Sequence, residues 1–172
     1  MSEASLEQIK KAHAITPMSC VQSEYSIMCS KVEGALLDFC EAENIGFMAY
    51  LPMASGFLSG KYDKNTQYSG DDVRRVITRF EPSNVEKNQP LLDFLSHFTK
   101  TKNATLAQLA LTFLLAKKPF VVPIPGMRSD ERMKENFGAI NLELSSNDMK
   151  ILEQELDKIT IYGDRKDRKS VV

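Results

Sequence analysis

Apolar residues recur at helical spacing over five stretches of the chain, and short apolar runs lie between them. Leu6, Ile9 and His13 share one face of a helix predicted over about 5–14; Ser5 and Gln8 open it at capping-box spacing and Pro17 follows its end. Met18 to Ser23 is a half-apolar run that reads as a strand. Val32, Leu36, Leu37 and Cys40 repeat as a second helix that Gly46 stops, and Phe47-Met48-Ala49-Tyr50 makes a second strand closed by Pro52. From Met53 to Asn88 the pattern dissolves into Gly, Ser, Asp, Tyr and Arg, too long for an ordinary connection. Such a stretch is either a disordered insert or an excursion with a function, and the second reading is adopted.

Beyond it, Leu91, Leu92, Leu95 and Phe98 predict a helix, and Thr105 with Gln108 caps another that carries Leu106, Leu109, Ala110, Phe113 and Leu114. Phe120-Val121-Val122 is a short strand between two prolines, and Ile124-Pro125-Gly126 turns into a helix starting near Ser129 or Asp130. The last helix places Met149, Leu152, Leu156 and Ile159 on one stripe, with a charged, frayed tail expected from Gly163. Strands alternating with helices, and no hairpin signal, describe an α/β chain of βα units around a parallel sheet.

With 172 residues, 42% apolar and 26% charged, the chain is expected to form one domain over 1–172. Its 22 Lys+Arg against 23 Asp+Glu leave no excess of one sign, which argues against nucleic acid or an anionic membrane as partner. No run reaches the ~18–20 apolar residues of a membrane span, and Met1 to Lys11 lacks the apolar block of a signal peptide. Cys20, Cys29 and Cys40 form an odd set without C-x-x-C spacing, unsuited to a disulfide framework or a zinc site; a cytoplasmic location follows as the expectation.

The sharpest chemical feature is the strand-turn-helix passage from Val121 to Arg132. Free N–H groups and the positive end of the dipole at a helix start suit an anion, and Arg128 and Arg132 add forked donors matched to phosphate. An ordinary βα turn with solvated arginines has the same pattern. Glu135 and Asn136 lie on or beside the face of Arg132, either solvated or bonded to a ligand edge. A second feature runs from Tyr50 to Lys61, where small residues admit a close backbone approach, Lys61 offers a point charge and Tyr50 a planar face. A flexible loop over a core tyrosine is the competing reading. His13 and His97 read as helix-face histidines, the three thiols as inert, Glu24 and Tyr25 as structural or site-facing, and Arg165 to Lys169 as a solvated end.

Blocks in a fixed order now carry a resemblance: Ser2-Glu3-Ala4-Ser5, the helix ending Lys11-Ala12-His13-Ala14, Val21-Gln22-Ser23-Glu24-Tyr25-Ser26, Gly46 to Met53, Gly56-Phe57-Leu58-Ser59-Gly60-Lys61, and Pro123-Ile124-Pro125-Gly126 with Arg132, Glu135 and Asn136. Together they resemble the C-terminal half of the aldo-keto reductases, NADP(H)-dependent enzymes on a (β/α)8 barrel. Such a barrel takes ~250 residues, and about 200 at the least, so the resemblance implies a partial barrel, about strands 6 to 8 with their helices. By resemblance, Ser2 and Gln22 hold the nicotinamide carboxamide and Tyr50 stacks on its ring. Leu51, Pro52, Met53, Ser55 and Lys61 wrap the pyrophosphate. Gly126, Arg128 and Arg132 take the 2′-phosphate region, and Glu135 and Asn136 meet adenine. Leu51 stands where the family usually has Ser, and Glu3 where many members have Asn. The family's catalytic Asp, Tyr, Lys and His lie on the first four strands, so no residue here matches them. The resemblance implies reduction of a small carbonyl substrate by the complete enzyme and none by this chain alone. A module of a different class would bind nucleotide without catalysis, or self-associate through exposed strand edges.

Overall fold

The computed structural model describes residues 1–165; the basic run from Lys166 to Lys169 lies outside them. Helix α1 (Leu6–Ile15) starts at the expected capping box, with Ser5 and Gln8 each accepting the other's backbone N–H. It is followed by β1 (Cys20–Glu24), α2 (Ala35–Ala42) and β2 (Gly46–Tyr50). After a long excursion come α4 (Gln89–Lys102), α5 (Leu106–Lys117), β3 (Val121–Ile124), α6 (Asp130–Phe137) and α7 (Ser146–Leu156). The α3 of this order, Pro82–Lys87, sits at the end of the excursion and has no apolar periodicity to announce it.

The strands form a parallel sheet in the order β1-β2-β3. Glu24 pairs with Tyr50, and Tyr50 with Ile124, so all three strands end at one level. Val21, Phe47, Ala49 and Val121 are buried in the core shared with the helices. On the other face Gln22, Met48, Tyr50 and Ile124 are only partly covered and Val122 is exposed, the alternation a sheet shows when helices cover one side. The edge of β1 is not wholly open, as an edge-pairing module would have it: Met1 and Glu3 exchange backbone bonds with Gln22 at 2.8 Å each. Pro123 stands within β3, where an edge strand tolerates a missing N–H.

Gly46 does not end α2. Asn44, at φ 55°, takes the left-handed turn, and Gly46 opens β2 instead. α5 is apolar on nearly every side because the sheet, α4 and the excursion all pack on it; Thr112 answers its burial by donating to the Ala139 carbonyl at 2.8 Å. α7 stops at Leu156, but Ile159 still packs on the core beyond it. Among the described residues no helix is long and apolar enough to cross a membrane.

The stretch from 53 to 88 is ordered, with short 3-10 segments at Ala54–Ser59, Val73–Val76 and Thr78–Phe80. It carries its own aromatic cluster: Tyr62, Tyr68 and Phe80 meet at 5.5–5.9 Å between ring centres, and Phe57 touches Phe80 at 5.6 Å. The tail from Gly163 to Arg165 is docked rather than frayed. Fully buried Asn88 bonds both backbone groups of Tyr162 at 2.9 Å, and Thr78 bonds the backbone of Asp164. Gly163, at φ 77°, lies so close that a Cβ there would come within 2.6 Å of the Arg79 backbone.

Two predictions arise from these contacts. Asn88→Ala leaves the Tyr162 backbone unpaired and is expected to cost about 2–3 kcal/mol in urea unfolding; an unchanged midpoint would show that the clamp contributes nothing. Asp148, which caps α7, accepts from Lys102 of α4 at 2.6 Å and from Ser145, and these bonds draw its carboxyl down to about 2. Folding favours the ionised form, so this contribution is complete above about pH 4 and lost as pH falls through about 2. Lys102→Met should therefore lose less stability than the parent between those pH values; parallel acid limbs would contradict the assignment.

Candidate functional site

Because the strands end together, the loops that follow them converge. They enclose a cleft of about 1070 Å³, at the upper end of the ~300–1,000 Å³ usual for small-molecule sites. Gln22 and Tyr50 form its inner end, and Leu51, Pro52, Met53 and Ser55 continue along one wall to Lys61. The β3–α6 turn and α6 itself line the cleft as well, with Gly126, Arg128, Arg132, Glu135 and Asn136. Ser2 alone of the expected residues does not line the cleft; it is exposed beside it, bridged to Gln22 across the sheet edge.

The first wall is held in an uncommon backbone shape. Leu51, Ala54 and Ser55 are left-handed at φ 51°, 50° and 59°, and Gly56 follows at 94°. Each non-glycine residue there costs about 1–2 kcal/mol, which the surrounding packing must over-determine. Buried Ala54, Phe57 and Leu58 supply that packing, and Ser59 donates to the Gly56 carbonyl at 2.7 Å. Space is tight at Gly56 and Gly60 as well: a Cβ would meet the Tyr62 ring at 3.2 Å and the tip of the Leu106 side chain at 2.7 Å, so each neighbour would have to shift. Gly126 differs, for a Cβ there would meet nothing within 4 Å. Nothing in the described chain itself demands a glycine at that wall.

Charges of both signs line the cleft: Asp71, Asp72 and Glu135 share it with Lys61, Arg74, Arg128 and Arg132. Among the described residues no carboxylate stands in ion-pair contact with Lys61, Arg128 or Arg132, although the chain pairs many of its other cations. Ser129 caps α6 by accepting from the Arg132 N–H, while Asp130 and Glu131 in the first turn oppose an anion at the helix end itself. The three side-chain cations therefore carry the anion-binding capacity.

The excursion supplies a further wall that sequence reasoning missed: Asp71, Asp72, Val73 and Arg74. Asp72 accepts from Arg74 Nε at 2.8 Å and Nη2 at 2.6 Å, which lowers its carboxyl to about 2. Arg74 also bonds the Tyr62 hydroxyl and lies 4.5 Å over that ring. The pair neutralises itself and fixes the strap, so Asp72 is not a free acid. The length of the stretch was the one signal of its role.

Several other candidates resolve as structural. Tyr25 is fully buried and donates to Glu33 at 2.7 Å, and burial, with that carboxylate, pushes its hydroxyl far up. Burial likewise raises the thiols of Cys29 and Cys40. His13 accepts from the Met18 N–H at 3.0 Å and closes the α1–β1 turn; His97 is exposed on α4. Glu3 is fully engaged, with one oxygen accepting from the Glu24 N–H at 2.6 Å and the other held by Arg165. Arg165 is accordingly no solvated end; it spans Glu3 and Glu24.

The arrangement has counterparts. An NADP(+) aldo-keto reductase of Schizosaccharomyces pombe, yakc, is 33% identical over 168 residues, covering 96% of this chain and 49% of the relative. A probable pyridoxal reductase of the same organism is 33% identical over 170 residues, covering 95% and 51%. Among solved structures, a thermostable aldo-keto reductase superposes with a TM-score of 0.64 at 26% identity, over 89% of this chain and 46% of that one. A glycerol dehydrogenase from Gluconobacter oxydans shares the fold at a TM-score of 0.83 and 21% identity, over 94% and 49%. The chain thus spans about half the length of the relatives it matches. The sequence model of the aldo/keto reductase family matches residues 1–157, and with it the strand ends and loops that shape the cleft: the chain belongs to the aldo/keto reductase family.

Proposed function

We propose that this chain furnishes the NADP(H) seat of an aldo-keto reductase, its sheet standing as about the sixth to eighth strands of a (β/α)8 barrel. The single observation that carries this reading is that one cleft is lined by the flat ring of Tyr50 and by three cations, Lys61, Arg128 and Arg132, that have no ion-pair partner among the described residues. A dinucleotide with an additional ribose phosphate has that shape: planar at one end and polyanionic beyond it. When bound, such a cofactor supplies the hydride for a carbonyl carbon.

The chain's own residues bind and orient. Tyr50 gives a stacking face, and Gln22, with Ser2 beside it, gives amide and hydroxyl groups for a carboxamide. The backbone from Leu51 to Gly56, left-handed at Leu51, Ala54, Ser55 and Gly56, takes the pyrophosphate with Lys61; with Leu51 in place of a serine, backbone groups serve there. The open space at Gly126 admits close approach, Arg128 and Arg132 fork onto the 2′-phosphate, and half-buried Glu135 and Asn136 bond the adenine edge. At the Tyr50 end none of the described residues is a free acid or base suited to give a proton to a carbonyl: Tyr25 is committed to Glu33 and Glu3 to Glu24 and Arg165. These residues alone therefore hold a cofactor without turning over a small carbonyl substrate. Three free thiols, two of them buried, suit the reducing cytoplasm as its compartment.

Fluorescence titration of the purified chain should show NADPH binding more tightly than NADH, with no aldehyde reduction. Arg132→Ala should weaken NADPH about tenfold or more and NADH far less, since charge-assisted bonds to phosphate are lost only in the first. Equal binding of the two nucleotides would refute the phosphate assignment, and measurable turnover would refute the division of labour.

A further inference from the structure

The docked C-terminal segment places a cation on an aromatic ring that lines the cleft. The Arg165 guanidinium carbon lies 5.6 Å from the centre of the Tyr50 ring. The same group pairs with Glu3, and its Nε is 3.2 Å from Glu24, so that only a fifth of the side chain remains exposed. Glu24 in turn is nine-tenths buried and stands 3.6 Å from the guanidinium of buried Arg79. The backbone leading to Arg165 is fixed by the Asn88–Tyr162 clamp and by the tight approach of Gly163 to Arg79. Arg165 borders a separate cavity of about 440 Å³ at the starts of α1 and α2, whereas Tyr50 borders the main cleft.

We propose that Arg165 is a built-in competitor for the planar-ring end of the cleft: its guanidinium holds the Tyr50 face that a nicotinamide needs, and binding of the whole dinucleotide displaces it. This rests on the reading of Tyr50 as the stacking face. A planar guanidinium and a planar pyridine ring seek the same kind of aromatic surface, and one face of the Tyr50 ring cannot carry both. Glu3 and Glu24 hold the cation in place, and Arg79 keeps the Glu24 carboxylate from being left unpaired in the interior. The phosphate end of the cleft, at Arg128 and Arg132, makes no contact with this device, so ligands confined to that end escape the competition.

The test compares two ligands on two chains: NADPH, and adenosine 2′,5′-bisphosphate, which has no nicotinamide. Titrated by calorimetry, Arg165→Ala should bind NADPH about threefold to tenfold more tightly than the parent and the bisphosphate unchanged, as expected for releasing one aromatic contact and a partly exposed ion pair. The sign is diagnostic, because removing a positive charge near a polyanion would otherwise weaken binding. Arg165→Lys, which keeps the charge but loses the flat group, should fall between. Unchanged or weaker NADPH binding in Arg165→Ala overturns the proposal while leaving the cleft assignment standing, and so does equal tightening of both ligands. Failure of both ligands to bind either chain overturns the cleft assignment and the competitor with it.

Discussion

The register of the parallel sheet is the constraint on which the site depends. Glu24, Tyr50 and Ile124 are drawn level by backbone pairing, and no side-chain interaction could substitute for it. A slip of one residue would turn Tyr50 to the helix side and bring Ala49 to the cleft. Burial of Val21, Phe47, Ala49 and Val121 against α5 and its neighbours makes that slip costly, since each would exchange a core position for an open one. Packing on one face of the sheet thus aims the residues on the other.

Around that frame, local chemistry adds to the shared core, which buried Ala54, Phe57, Leu58, Ile77, Phe80 and Val85 of the excursion join. The 53–88 excursion folds around three aromatic rings and one self-neutralised Asp72–Arg74 pair, and it closes the cleft on a side the strands do not reach. Its far end is tied to the C-terminal segment through Asn88, Thr78 and Gly163. Leu51, Ala54 and Ser55 are left-handed without being glycine, and Leu51 and Ser55 lie at the cleft wall rather than at a surface turn. Strain kept at a wall is what a preformed binding backbone requires.

Much of this was legible in the sequence because it is encoded locally. Capping boxes at Ser5 and Thr105 and the apolar spacing of Leu106 to Leu114 specify helices within a few residues. The order of motifs brought Gln22, Tyr50 to Lys61, and Gly126 to Asn136 to one cleft. What escaped was long-range. No spacing rule joins Asn88 to Tyr162, 74 residues apart, or Glu3 to Arg165, 162 apart, so the tail read as frayed and its arginine as solvated. The Asp72–Arg74 wall escaped because its order comes from aromatic contacts between short polar stretches without periodicity. Gly46 misled for a simpler reason: asparagine can also turn left-handed, and Asn44 reached that turn first.

The central claim is that one continuous cleft, from Tyr50 to Asn136, receives a phosphorylated dinucleotide. Amide chemical-shift mapping on the labelled chain during NADP(+) addition tests it most directly. The account predicts that perturbed residues cluster in two separated stretches, Tyr50 to Lys61 and Gly126 to Asn136, with Gln22 beside the first on the neighbouring strand. Shifts confined to the smaller cavity at the starts of α1 and α2, or no shifts at all, would contradict it.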